Sequence, residues 1–393
     1  MADKNKSTTI WDYLRWRGDL LFTQDGFNEV DNLLLCIVSY IDFRRIARLR
    51  SFDPVNAMPI GDVCAMLTEE DEQRGLSSED YIPVMRAMAA TPRFRDVKMF
   101  AFEDSYDEEK VMQFSAVSFL LPDESVFVAY RGTDTTLVGW IEDFNMSFMS
   151  AVPAQLRATE YAVEVAERVH RRALRIGGHS KGGNLAAWAA IHLPEKLQKK
   201  RLLSAYNNDG PGFDAAVLTS DGFARVAEKL HTFIPESSVV GMLLEHTEDY
   251  TLIDSTTVSL LQHEPLSWNV MGNRFVYLGQ RSEAAQLGDN VIREWLAGLT
   301  REERQEFVET LHQLLSAGGK IKTLEELHSG GLGSGIALIK EYAGADEHKK
   351  KMLSDLMSRL AVDAREELRR AAGEKWKKAG EDFRQVLDKI RKV

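Results

Sequence analysis

The chain has 393 residues, 44% of them hydrophobic and 28% charged, with a net charge of −11. That length holds a large core plus a further module, and the acidity excludes nucleic acid as the main partner. The two cysteines, Cys36 and Cys64, each lie amid apolar residues, which excludes a disulfide framework and fits a reducing, cytoplasmic setting.

The first twenty residues lack the apolar run of a signal peptide. The greasiest stretch, "LLLCIVSYI" (33–41), is about half the length that crosses a bilayer, so no transmembrane segment is expected. It reads as part of one buried helix over residues 27–49, and "SSEDYIPVMRAMAA" (77–90) as a second, with Ser78 as its cap. Residues 97–104, 111–121 and 124–132 are short, apolar and rich in Val and Phe, and read as strands of a meander. Residues 153–170 return to helical spacing. Then "ALRIG" (173–177), "RLLSAYN" (201–207) and "KLHTFIP" (229–235) read as buried strands separated by the helices "NLAAWAAIHL" and "GFARVAEKL". "DYTLIDSTTVSLL" and "NRFVYLG" supply two further strand candidates.

This alternation predicts an α/β protein with a mostly parallel sheet covered by helices on both faces. After about residue 295 the strands stop. A helix opens at Thr300, "HSGGLGSG" (328–335) breaks it, and residues 346–392 keep apolar positions three or four apart. The expected division is therefore 1–298 and a helical extension, 299–393. Those helices pack on the body or on a second subunit, or offer a surface to a protein partner. No C-x-x-C or H-E-x-x-H spacing occurs, and neither a metal nor a cofactor is expected.

Residues 176–186, "IGGHSKGGNLA", contain G-x-S-x-G centred on Ser180. Chance produces such a match in a chain of this length roughly one time in ten, so context has to decide. Ser180 lies between a predicted strand and a predicted helix, the strand–turn–helix setting in which a nucleophile is lifted clear of its sheet. The G-K-[ST] ending of a phosphate loop is absent.

A second stretch, "VFVAYRGTDTTLVGWIED" (126–143), ends a strand in Arg131-Gly132-Thr133 and continues to Trp140 and Asp143. Together with "GHSKGGNLA" and a preceding helix ending in "SY", it resembles the class 3 lipases over roughly residues 27–280. The chain is more similar still to a bacterial group of lipase-like α/β-hydrolases sharing "YLRWRGDL", "FNEVDNLLL" and "NNDGPGF"-type segments. The resemblance implies an α/β-hydrolase fold and hydrolysis of a small-molecule or lipid ester through an acyl-enzyme on Ser180. It also implies that the backbone amides of Thr133 and Lys181 hold the oxyanion, with Trp140 and Asp143 anchoring the loop that carries Thr133.

A serine needs a base, and His231, His246 and His263 follow within the sheet region. His231 alternates with apolar residues as a strand residue would, and His246 sits in a solvated turn. His263 rides a late loop held by Pro265 and Trp268, where the resemblance also puts the histidine. The acid is less marked. Where class 3 lipases carry an aspartate, this chain reads "PESSVVGMLL", with Ser237 and Ser238. Asp209, at the end of the strand after the nucleophile helix, and Glu236 are both candidates, Asp209 the stronger. The segment "FNMSFMSAVP" offers Phe and Met side chains to an acyl pocket or to the core. Lys181 stands where lipases carry an apolar residue, and a cation there suggests a polar or anionic substrate. A hydrolase-fold scaffold without activity is the alternative, prompted by the unmatched acid.

Overall fold

All five residues of β4 (Val126–Tyr130, VFVAY) are buried, a pattern a strand shows when both faces of its sheet are covered. The computed structural model describes residues 8–72, 78–133, 142, 145–146, 149, 151–236, 238, 250–257, 259–279, 300 and 351. Among these, eight strands form one sheet in the chain order β1 (Met58–Pro59), β2 (Lys98–Asp107), β3 (Met112–Leu120), β4, β5 (Leu174–His179), β6 (Leu202–Asn208), β7 (Leu230–Pro235) and β8 (Tyr250–Ile253). β2 to β4 pair antiparallel, as the meander predicted; β1, which the sequence did not mark, also joins β2 antiparallel, and the pairings from β4 to β8 are parallel.

Helices close both faces. Helix α1 spans Ile10–Arg17, α2 Glu29–Val38 and α3 Ser78–Ala89, while α4 spans Pro153–Arg168, α5 Lys181–His192 and α6 Asp221–Val226. Adjacent glycines in β5 show how the two layers divide. A Cβ on Gly177 would meet Asn32 Oδ1 of α2 at 2.4 Å, and one on Gly178 would meet the Gly182 carbonyl of α5 at 2.0 Å. Successive strand residues point to opposite faces, so α2 and α5 press on the strand from opposite sides and leave no room for side chains. On the α2 face Leu33, Leu34, Phe127 and Ala129 share one core cluster. On the other face the Tyr130 hydroxyl donates to the Ala158 carbonyl of α4 at 2.6 Å. The architecture is an α/β-hydrolase fold.

Helix α2 is buried on every side, from Val30 to Val38. Its polar members are paired: Asp31 accepts from Arg93 at 2.6 and 2.8 Å and from Tyr13 at 2.7 Å, and Asn32 donates to Asn208 at 2.9 Å. The predicted helix over 27–49 ends here, earlier than expected. The Ser39 hydroxyl takes the Cys36 carbonyl at 2.6 Å, and the Tyr40 and Ile41 amides reach back only three residues. A short side chain competing for the backbone tightens and stops the helix. A single turn of 3₁₀ helix (Ala47–Arg50) is all that follows before residue 51.

The last strand candidates also shorten. "DYTLIDSTTVSLL" yields β8 and a 3₁₀ turn (Ser259–His263), while "NRFVYLG" yields β10 (Arg274–Phe275), which pairs with β9 (Val270–Met271). No helix among the described residues is long and apolar enough to cross a membrane.

The chain divides into two compact units, Met1–Asp134 with Met149–Ser282, and Thr135–Phe148 with Glu283–Val393. Within the second, Met146 is buried and its amide bonds the Glu142 carbonyl at 3.2 Å. The predicted helices of 299–393, the anchors Trp140 and Asp143, Phe144, Phe148, Ser237 and His246 lie outside the described residues.

Candidate active site

Sheet register builds the site. Tyr130 pairs with Gly178, His179 with Asn208 and Asn208 with Phe233, so β4, β5 and β6 end side by side. Ser180 and Asp209 each follow the last residue of their strand, at the carboxyl edge where open α/β sheets bind ligands. Both residues adopt positive φ, 59° at Ser180 and 55° at Asp209. Such backbone is costly for a residue with a Cβ and concentrates at functional sites.

Ser180 is the N-cap of α5, with ψ −134°. Its amide donates to the Asn208 carbonyl at 3.0 Å, and its carbonyl accepts from the Gly183 amide at 2.8 Å. A Cβ on Gly182 would stand 2.2 Å from the Tyr130 carbonyl, so α5 starts hard against β4. The motif's glycines are thus required by close approach. The end of β4 reaches the serine directly: a Cβ on Gly132 would lie 3.0 Å from Ser180 Cβ. Arg131 is held there by Asp104 at 3.1 Å, and Thr133 follows, buried.

Lys181 begins α5, where amides point out of the helix end and favour negative charge. Its side chain departs from expectation. Only 1% exposed, it sends Nζ to the Gln113 carbonyl at 3.0 Å and Oε1 at 2.8 Å. The ammonium is therefore solvated by β3, and the anionic-substrate expectation drawn from it falls away.

His263 closes the 3₁₀ turn before Glu264 and Pro265. Trp268, fully buried, donates from Nε1 to the Gln262 carbonyl at 2.9 Å and so ties down the loop. His263 Nδ1 lies 2.6 Å from Asp209 Oδ2, and Asp209 is completely buried. Glu236, the other candidate acid, is at the turn after β7, while His231 is on β7 with its ring stacked on Tyr206. The structure thus brings Asp209 and His263 together.

Three contributors escaped sequence reasoning. Ser238, in the stretch that lacks an aspartate, donates its hydroxyl to Asp209 Oδ2 at 2.6 Å. His179 packs its ring 4.6 Å from that of His263, and its Nε2 lies 2.8 Å from the His263 carbonyl oxygen. Burial, reinforced by His263, holds the His179 imidazole well below the usual histidine range. Tyr40, just past α2, sets its hydroxyl 3.0 Å from His179 Nδ1. The "SY" ending and the "GHS" core held these positions in view, but not their pairing.

A positive-φ serine between β5 and α5, with a histidine bonded to a buried carboxylate at the end of the next strand, on a sheet of this strand order, marks an α/β-hydrolase-fold protein. The chain belongs to the Mbeg1-like family, whose model matches residues 88–313; it is a lipase-like family. No curated protein matches the sequence. Among solved structures the chain is similar to the native Rhizomucor miehei lipase propeptide complex, 13% identical over 59% of this chain and 82% of that one, with a TM-score of 0.34. It is also similar to the Lip2 lipase of Yarrowia lipolytica, 14% identical over 64% of this chain and 94% of that one, with a TM-score of 0.34. At so loose a superposition the fold assignment rests on strand order and elbow geometry.

Proposed function

We propose that the protein is a serine hydrolase of carboxylic esters that works through an acyl-enzyme on Ser180. The hydrogen bond between Asp209 and His263 at 2.6 Å carries the reading. The carboxylate accepts Nδ1–H, which leaves Nε2 as the basic nitrogen and stabilises the imidazolium formed later. In this mechanism Nε2 takes the Ser180 proton as Oγ attacks the acyl carbon, then returns it to the leaving alcohol. Water repeats the cycle to release the acid. The reading requires Oγ and Nε2 to meet at about 2.6–3.2 Å, and the ring contact of His263 with His179, the neighbour of Ser180, supports that approach.

The backbone amides of Thr133 and Lys181 serve as oxyanion donors, each contributing about 3 kcal/mol to lowering the barrier. Gly132's contact with Ser180 and the helix start at Lys181 support these roles. The scaffold reading rests on the missing aspartate of "PESSVVGMLL", and the Asp209 pairing weakens it. Hydrolysis of a short-chain p-nitrophenyl ester by the wild-type chain, lost in Ser180→Ala, tests the proposal. Equal turnover by both proteins contradicts it.

A further inference from the structure

The mechanism needs three elements held at fixed spacing: the strand end at residues 131–133, the elbow at 179–180 and the loop of His263. One buried polar chain crosses all three. The Tyr40 phenolic oxygen packs against the strand end: a Cβ on Gly132 would lie 2.1 Å from it. That oxygen lies 3.0 Å from His179 Nδ1 and 3.2 Å from the His179 carbonyl. On the far side of the ring, His179 Nε2 lies 2.8 Å from the His263 carbonyl oxygen.

The directions of these bonds follow from chemistry. A carbonyl only accepts, so Nε2 carries the hydrogen, and a neutral imidazole has just one. Nδ1 therefore accepts, and the Tyr40 hydroxyl donates to it. The ring is kept neutral by its burial, so the bonds run from the Tyr40 hydroxyl through the ring to the His263 carbonyl, with the His179 carbonyl at 3.2 Å as the phenol's second acceptor. Tyr40 is in turn seated by Tyr81, edge-on at 5.5 Å, whose hydroxyl donates to Glu264, the residue after His263. The same phenol thus touches the oxyanion strand and, through one ring, the histidine loop.

We propose that Tyr40 and His179 are positioning residues that hold the His263 loop and the end of β4 at working distance from Ser180. The proposal rests on the reading of Ser180 as nucleophile. Neither side chain is assigned a contact with substrate. Their removal therefore lowers kcat and leaves KM unchanged, as expected when only transition-state geometry is lost.

The test uses the full chain, a fluorophosphonate probe and a p-nitrophenyl ester, with circular dichroism confirming the fold of each variant. Tyr40→Phe and His179→Leu are expected to slow both labelling and kcat by about 10–100-fold, the scale of an ångström-sized misplacement, at unchanged KM. His179→Gln sets an amide N–H where Nε2–H stood, and its rate should recover most of the loss seen in His179→Leu. Should His179→Leu not fold, Tyr40→Phe, which deletes one oxygen from a buried ring, decides alone. Wild-type rates in Tyr40→Phe, or no recovery in His179→Gln relative to a folded His179→Leu, overturn the proposal. A wild-type chain inert to the probe overturns the nucleophile reading, and the relay falls with it.

Discussion

Asp209 stands one residue beyond β6 in a positive-φ conformation, and its Oδ2 gathers two short bonds, from His263 Nδ1 and from the Ser238 hydroxyl, both 2.6 Å. Replacing it with Asn offers an amide where the imidazole needs an acceptor, and the wrong tautomer of His263 follows. Asp209→Asn is expected to reduce kcat by about 10⁴-fold with the fold intact, which steady-state kinetics and circular dichroism check together. His179 gives a pH signature of its own. Its folded-state pKa lies well below its ordinary value of 6.5, so the unfolded chain binds the extra proton in the interval between them. Stability is fully present above pH 6.5 and falls as pH drops below it, with this residue's share limited to about 1.4 kcal/mol per pH unit. Denaturant titrations between pH 7 and 5 should show a shallower decline in His179→Gln than in the wild type, and identical slopes would contradict the assignment. The strand–turn–helix elbow at Ser180 was legible because its requirements are local: two glycines, a strand before and a helix after. Asp209 could be ranked above Glu236 but not paired with its histidine, because that bond spans 54 residues, and Tyr40 meets His179 across 139. No periodicity encodes which distant side chains meet.

At the level of elements, β4 to β7 and α4 to α6 followed from apolar runs and helical spacing. What resisted was where α2 stops, since the Ser39 hydroxyl on the Cys36 carbonyl is a side-chain competition invisible to hydropathy. That early stop lets Tyr40 turn toward the elbow rather than continue the helix. Helix α2 also depends on a buried ion pair. The Arg93 and Asp31 side chains are both 0% exposed and 2.6 Å apart, and Arg93 further donates to the carbonyls of Leu20, Asp25 and Gly26. Taking away the cation leaves a buried carboxylate uncompensated, so Arg93→Ala should lose about 3–5 kcal/mol in urea unfolding. A loss below that of an ordinary surface substitution would show that the clasp does not hold α2 to the loop before it.

Across the whole molecule, the family match at residues 88–313 begins after helices that the core cannot do without. Leu33, Leu34 and Ile37 of α2 are fully buried and belong to the same cluster as Phe119 and Phe127 of the sheet. A fragment of residues 88–313 alone would expose that face of the sheet and is expected to lack near-ultraviolet circular dichroism and to bind a hydrophobic dye. A cooperatively folded fragment would contradict this placement of the core. The proposed boundary after residue 298 is tested by a chain ending there, which should fold and retain ester hydrolysis. The central claim concerns a single oxygen atom, and mass-spectrometric mapping of a fluorophosphonate adduct addresses it most directly. The account predicts one adduct, on the peptide carrying Ser180, that does not form in His263→Ala at the wild-type rate. A folded wild-type chain that takes no adduct, or takes it on another residue, would contradict it.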